Sequence, residues 1–163
     1  MKVRNILKTD DLSIISRVYV ESFIDTYKDY IPESFINRLE KEGWLESVEN
    51  HKDFFVMFSD QDVVGCAEIS DGDDGDDGDV SGEIKSIYLL KDYVDQGHGR
   101  LLLNAMVKEL EERGYSKVFL WVQEDNKRAH KFYEKNGFKR IDAHKNLNLG
   151  GQDFIVVKYE LDI

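Results

Sequence analysis

The feature that most constrains this chain is a junction between two regular patterns. An apolar run from Glu83 to Leu90 reads as a β-strand. The segment Gly99 to Arg113 reads as a helix with Leu102, Met106 and Leu110 on one face, stopped by Gly114. Between them stands Tyr93-Val94-Asp95-Gln96-Gly97-His98-Gly99-Arg100. Its two glycines let the backbone turn sharply and approach a bulky group closely. The first N–H groups of the following helix lack intrahelical acceptors, and with the helix dipole they suit an anion. A plain strand-to-helix turn accounts for the same glycines. A P-loop does not fit, since no Gly-Lys-Ser/Thr follows, and the longer dinucleotide fingerprint lacks its third glycine.

The remaining pattern is mixed. Lys2 to Leu7 reads as a strand, with Thr9-Asp10 as the cap of a helix carrying Leu12, Ile15, Val18, Tyr19 and Phe23. Pro32 fits the first turn of a second helix with Phe35, Ile36 and Leu39, broken at Gly43 before Trp44, Leu45 and Val48. Phe54 to Phe58 and Val63 to Ile69 read as a hairpin. Lys117 to Val122 is a strand, Asn126 to Asn136 a helix ended by Gly137, and Phe138 to Ile141 and Phe154 to Leu161 are strands. The order β-α-α-β-β-β-α-β-α-β-β predicts an α/β (α+β) chain with a largely antiparallel first half. With 163 residues it is expected to be one domain, 1–163.

The net charge of -11 argues against a phosphate-backbone or anionic-lipid partner, so neither nucleic acid nor membrane is expected. Asp71-Gly72-Asp73-Asp74-Gly75-Asp76-Asp77-Gly78-Asp79 carries six of those charges, and residues 71–82 read as a solvated hairpin loop. As a calcium loop it fails, because Gly75 and Gly82 fall where ligands are required. The single cysteine, Cys66, lies in an apolar strand and excludes both an internal disulfide and a Cys-based zinc site. His51, His130 and His144 lack partners at ligand spacing, so no metal is expected. No apolar run reaches the length of a membrane span, and a cytoplasmic location is the default expectation.

The stretch from Glu83 to Leu102 resembles motif A of the GNAT N-acetyltransferase superfamily. Downstream, Asn126-Lys127-Arg128-Ala129-His130-Lys131-Phe132-Tyr133-Glu134-Lys135-Asn136-Gly137-Phe138 is similar to its motif B, N-x-x-A-x-x-F-Y-x-x-x-G-F, with every core position filled. The resemblance covers residues 83–141. It implies the GNAT fold: a central mixed, mostly antiparallel sheet of about seven strands with about four flanking helices, splayed between the fourth and fifth strands. It also implies acetyl-coenzyme A as co-substrate and an amine, small or peptide-borne, as acceptor. A polyamine, a protein N-terminus and a lysine all stay open, as do a homodimer and a non-catalytic coenzyme A sensor on the same fold.

Carried over residue by residue, the resemblance places the pantetheine arm along Ile87, Tyr88 and Leu89, with the Leu89 N–H polarising the thioester carbonyl. The pyrophosphate would lie on the amides of Val94, Asp95, Gln96, Gly97, His98, Gly99 and Arg100, and Asn126 would reach the cofactor arm. The pattern departs in two places: Val94 stands where Arg or Gln is usual, and Asp95 where Gly is common. Tyr133 matches the acid that protonates the departing thiolate. A base must also take a proton from the amine, and Glu83 is the first candidate, with Glu68 behind it. Phe23, Tyr27 and Tyr30, on a helix expected to run from Leu12 to Tyr30, and Trp121 are candidate acceptor contacts. Each aromatic is equally readable as packing, and each carboxylate as a solvated strand-end charge.

Overall fold

The computed structural model describes residues 1–43, 53–72 and 81–163. The stretch Trp44 to Val48, His51 and most of the Asp–Gly loop lie outside the described residues. The strands are β1 (Lys2–Asn5), β2 (Phe54–Ser59), β3 (Asp62–Asp71), β4 (Ser81–Leu89), β5 (Lys117–Gln123), β6 (Lys139–Leu149) and β7 (Gln152–Asp162). The α-helices are α1 (Leu12–Tyr27), α2 (Glu33–Glu42), α3 (His98–Glu112) and α4 (Lys127–Lys135). Their order is the expected one. The strands form one sheet in the order β1-β2-β3-β4-β5-β7-β6. Among the described strands, only β4 and β5 pair in parallel.

Several boundaries shift for local reasons. The cap of α1 is Asp11, not Thr9 or Asp10; its carboxylate accepts the Ser13 N–H at 2.9 Å. Asp10 is taken up by Arg4, whose guanidinium holds both of its oxygens. α1 stops at Tyr27, and Tyr30 lies beyond it, 43% exposed. β6 and β7 are longer than expected, because they pair with each other from Lys139↔Glu160 out to the Leu149↔Gln152 turn.

Alternation along the strands gives the sheet two faces. One carries Ala67, Ile69, Ile84, Val118, Leu120, Val122 and Val157, packed under α3 through Leu102, Leu103, Met106 and Leu110. α4 rests on the same face through Ala129, Phe132 and Tyr133. Gly82 makes the approach of α3 possible: a Cβ there would stand 2.5 Å from Leu110 Cδ2. The opposite face carries Phe54, Val56 and Cys66 under α1. Phe23, Ile31, Phe35 and Leu39 of the α1–α2 region gather with Phe154 of β7 on that side.

One irregularity decides what the second face presents. Glu68 pairs with Ser86 but Ile69 with Ile84, so Lys85 is an extra residue, a β-bulge in β4. Strict alternation would put Glu83 and Tyr88 on opposite faces. The bulge reverses the sense between them, so Glu83 (opposite Ser70), Ser86 (opposite Glu68) and Tyr88 (opposite Cys66) share the α1 face.

Candidate functional site

After β4 the chain makes a 3-10 turn, Lys91–Tyr93, then an extended Val94. Asp95 follows at φ 59° and Gly97, the cap of α3, at φ 85°. Asp95 thus sits in the left-handed region, where glycine is at ease and aspartate is among the few other residues tolerated. This is the conformational reason a glycine suits that position. Its carboxylate is exposed and stands 3.6 Å from the Arg128 guanidinium. Gln96 donates through Nε2 to the Asp92 carbonyl, tying the loop to itself. A Cβ at Gly97 would meet nothing within 4 Å, so space is open above the loop. Gly99 lies inside α3, where a Cβ would stand 3.3 Å from the Phe132 ring. His98 is half-buried with its ring 6.2 Å from that of Tyr93, and Arg100 is exposed.

The parallel ladder of β4 with β5 runs from Ser81↔Lys117 to Glu83↔Phe119 and ends there. β4 nevertheless continues to Leu89 and β5 to Gln123. Leu90 donates its N–H to Val64 of β3. Successive N–H groups of an extended strand point to opposite edges, so those of Leu89 and Ile87 point away from β3, toward the side where pairing has ceased. Tyr88 directs its backbone to β3 instead and offers its phenol on the α1 face.

Tyr133 belongs to α4, on the α3 face; its ring lies 5.1 Å from Phe132, 5.7 Å from Phe138 and 6.5 Å from Tyr159. Yet Tyr27, on the opposite face, stands close enough to act electrostatically on it. Burial pushes the Tyr133 phenol well above its ordinary range, and Tyr27 adds to this. Tyr88 is raised by burial first and then by Tyr27, Tyr19, Cys66 and Tyr133. Burial also raises Tyr27, opposed by its hydrogen bond with Tyr88. Tyr27 of α1 and Tyr88 of β4 are thus hydrogen-bonded to each other, Tyr133 of α4 acts on Tyr88 electrostatically, and burial keeps all three phenols neutral. Phe23 closes the group, its ring 4.8 Å from Tyr27 and 6.1 Å from Tyr88.

Asn126 caps α4, its side-chain oxygen accepting the Ala129 N–H at 3.0 Å. Glu83, the last residue of β4 paired with β5, accepts a hydrogen bond from Ser70 Oγ at 2.9 Å. Glu68 is buried, with one oxygen 2.7 Å from Lys85 Nζ. Trp121 stands on the α1 face of β5 with the Lys145 ammonium 4.2 Å from its ring centre. Cys66 is fully buried, and burial pushes its thiol up, away from thiolate chemistry. His130 joins α4 to the sheet: Nδ1 lies 2.8 Å from the Tyr159 hydroxyl and Nε2 2.9 Å from the Glu124 carbonyl. Among the described residues no cluster of three or more His, Cys, Asp or Glu is placed to hold a metal ion. None of their helices is long and apolar enough to cross a membrane.

The sequence reading passed over Tyr19, Gln123 and Lys145. Tyr19 was visible only as part of a helical stripe, but its ring lies 4.9 Å from that of Tyr88. Gln123 carried a usable signal: counted by twos from Phe119 and Trp121, it is a polar residue on the face opposite Val118, Leu120 and Val122.

Comparison with known proteins adds the following. The model of the acetyltransferase (GNAT) family matches residues 15–138. The uncharacterized N-acetyltransferase YuaI of Bacillus subtilis is 31% identical over 148 residues, covering 88% of this chain and 83% of that one. A [ribosomal protein bS18]-alanine N-acetyltransferase of Haemophilus influenzae is 39% identical over a shorter stretch of 61 residues, 37% of this chain and 41% of that one. Among solved structures, a PaiA N-acetyltransferase from Thermoplasma acidophilum in complex with coenzyme A superposes with TM-score 0.72 at 25% identity, covering all of both chains.

Proposed function

The chain belongs to the GNAT acetyltransferase family, and we propose that it moves the acetyl group of acetyl-coenzyme A onto a primary amine by direct attack. One observation carries the site assignment. The β4–β5 ladder stops at Glu83↔Phe119 while β4 runs on with its outward Leu89 N–H, and a left-handed loop and a helix start follow directly; Tyr133 is read as the acid that faces this opening. These residues fit coenzyme A: the amides from Val94 to Arg100 and the α3 N-terminus suit its pyrophosphate, and the space over Gly97 admits it. Ile87 and Leu89 offer unpaired amides to its amide-bearing arm. Asn126 has its oxygen committed to the α4 cap, leaving its side-chain N–H groups to face the arm.

Acetyl-coenzyme A supplies an acyl group already activated as a thioester. The Leu89 N–H polarises the acyl carbonyl. Glu83 accepts a proton from the ammonium of the acceptor, directly or through one water, because amines are mostly protonated at neutral pH. It is favoured over Glu68, which Lys85 already engages. Tyr133, held protonated by burial, delivers a proton to the thiolate as the C–S bond breaks, and the second proton of the acylated nitrogen, released as the amide forms, restores the phenol directly or through water. Phe23, Tyr27, Tyr88 and Trp121 line the acceptor side, and the exposed Tyr30 stands at its rim. Among acceptors, the sequence leaves a polyamine, a protein N-terminus and a lysine open. A peptide amine is favoured by the relative that acetylates a ribosomal-protein alanine.

Release of free thiol from acetyl-coenzyme A, followed with a panel of small amines and peptides, tests the reading. Turnover with at least one amine is expected. Tight acetyl-coenzyme A binding without turnover of any amine would replace it with a sensor role.

A further inference from the structure

Among the described residues, four buried side-chain polar atoms have no hydrogen-bond partner, and one is the Oε1 of Gln123. The residue is 7% exposed. A buried carboxamide oxygen left unpaired costs stability. Such a group calls for a ligand or another reason to exist.

Its position suggests which ligand. Gln123 ends β5, beyond the Glu83↔Phe119 pair where the ladder with β4 stops. It shares a face with Trp121, two residues earlier, on the side of the sheet carrying Phe23, Tyr27 and Phe154 rather than α3. That is the acceptor side of the site proposed above. Gln123 pairs with Val156, and Val156 with Lys145, so Gln123 and Lys145 stand in one row on that face. Their Cα atoms are thus about 9–10 Å apart, two strand spacings. The Lys145 ammonium lies over Trp121 and makes no ion pair among the described residues. The carboxylates of the same face near the opening are engaged: Glu68 by Lys85, Glu83 by Ser70, and Glu160 by Lys158 at 3.1 Å.

We infer that Gln123 is a specificity residue for the acceptor, reading a peptide group next to the amine that is acetylated. The Oε1 accepts the peptide N–H, and Lys145 donates to the peptide carbonyl over the apolar wall of Trp121. A peptide group presents one donor and one acceptor, which matches this pair. A polyamine would meet an uncompensated ammonium and carboxylates already paired. The inference rests on the acetyltransferase reading for the location of the acceptor, and it names the class of acceptor.

The test compares wild type with Gln123→Leu on a tripeptide amide beginning with alanine, on n-butylamine and on spermidine. Wild type is expected to prefer the tripeptide to the other two in kcat/KM. In Q123L the tripeptide-to-butylamine ratio of kcat/KM should fall about tenfold or more, since a site built to hydrogen-bond its substrate loses much when one partner goes. Leu fills the same space without a polar atom, so Q123L should melt at or above the wild-type temperature; that separates loss of recognition from loss of fold. A wild-type preference for spermidine, an unchanged ratio in Q123L, or a loss confined to acetyl-coenzyme A affinity would each overturn the proposal. If wild type acetylates nothing, the acetyltransferase reading is what has failed. Calorimetry of the tripeptide on the coenzyme A-loaded protein then decides this inference: binding weakened in Q123L supports it, and binding absent from wild type or equal in both overturns it.

Discussion

Replacing Tyr133 by Phe removes one oxygen and leaves the ring among Phe132, Phe138 and Tyr159, with centroids 5.1, 5.7 and 6.5 Å away. The packing is retained, so the change in stability should stay within about 1 kcal/mol. The chemistry should not be retained. A positioned general acid contributes roughly 10²–10⁴ in rate, which corresponds to about 2.7–5.4 kcal/mol of barrier. Acetyl-coenzyme A affinity should change little, because the β4 edge and the loop amides are untouched. The pH profile gives an independent reading. An acid works while protonated and fails as pH rises through its pKa, and burial with Tyr27 nearby holds that of Tyr133 above its ordinary value. Wild-type kcat should therefore show no alkaline limb from this residue below about pH 10, the unperturbed phenol value. Thiol-release assays at saturating acetyl-coenzyme A, from pH 6 to 10, would measure both effects. A Y133F kcat within threefold of wild type would refute the role. So would an alkaline limb below pH 9 that disappears in the variant.

Four further outcomes follow from the same geometry. Asp95→Gly keeps the left-handed backbone and removes a negative charge beside the anion loop; one unit charge at roughly 7 Å in water is about 0.6 kcal/mol. Coenzyme A affinity, measured by calorimetry, should rise about threefold at low salt and less at high salt, and a loss of affinity would count against the loop assignment. Gly82→Ala puts a Cβ 2.5 Å from Leu110 Cδ2, in a side chain that is 0% exposed. The cost should be about 1–3 kcal/mol, read as a lower urea midpoint, and an unchanged midpoint would show that α3 can shift freely. Cys66→Ala should leave turnover intact, and the native thiol should resist labelling until the protein unfolds; rapid labelling of native protein would contradict its burial. Tyr19, Tyr88 and Tyr133 are raised in the folded state, so above the unfolded phenol value near 10 the native state holds more protons than the unfolded one. Stability is then full below that pH and falls as pH rises past it, which urea unfolding at pH 8 to 11 would detect.

Much of the local structure could be read from the sequence. The strand–loop–helix junction, the helix ended by Gly137 and the stripes of α1 and α3 came through, because each is settled by a few neighbouring residues. Net charge describes one stretch more than the domain, since residues 71–79 alone hold six carboxylates against a net charge of -11. Asp95 stands in the sequence as a departure from the usual glycine, and its backbone φ of 59° gives that departure a conformational meaning. The α1 cap was misplaced by one residue, because Arg4 draws Asp10 away. Gln123 was passed over because an amide on an apolar strand stands out only once the two faces are told apart.

The sequence by itself determined which segments extend, which coil into helices, and where a left-handed residue and an open helix start must stand. Those choices rest on local sterics and on periodicity within a turn or a strand. Only the tertiary structure decided what these segments share. The bulge at Lys85 exists because β4 pairs with β3 in a shifted register, and it brings Glu83 and Tyr88 to one face. The end of the β4–β5 ladder at Glu83 and Phe119 joins positions 36 residues apart in the chain, and no local pattern encodes where such pairing stops. Tyr27 of α1 and Tyr133 of α4 lie on opposite faces of the sheet and still act on each other electrostatically, a relation that neither element encodes alone.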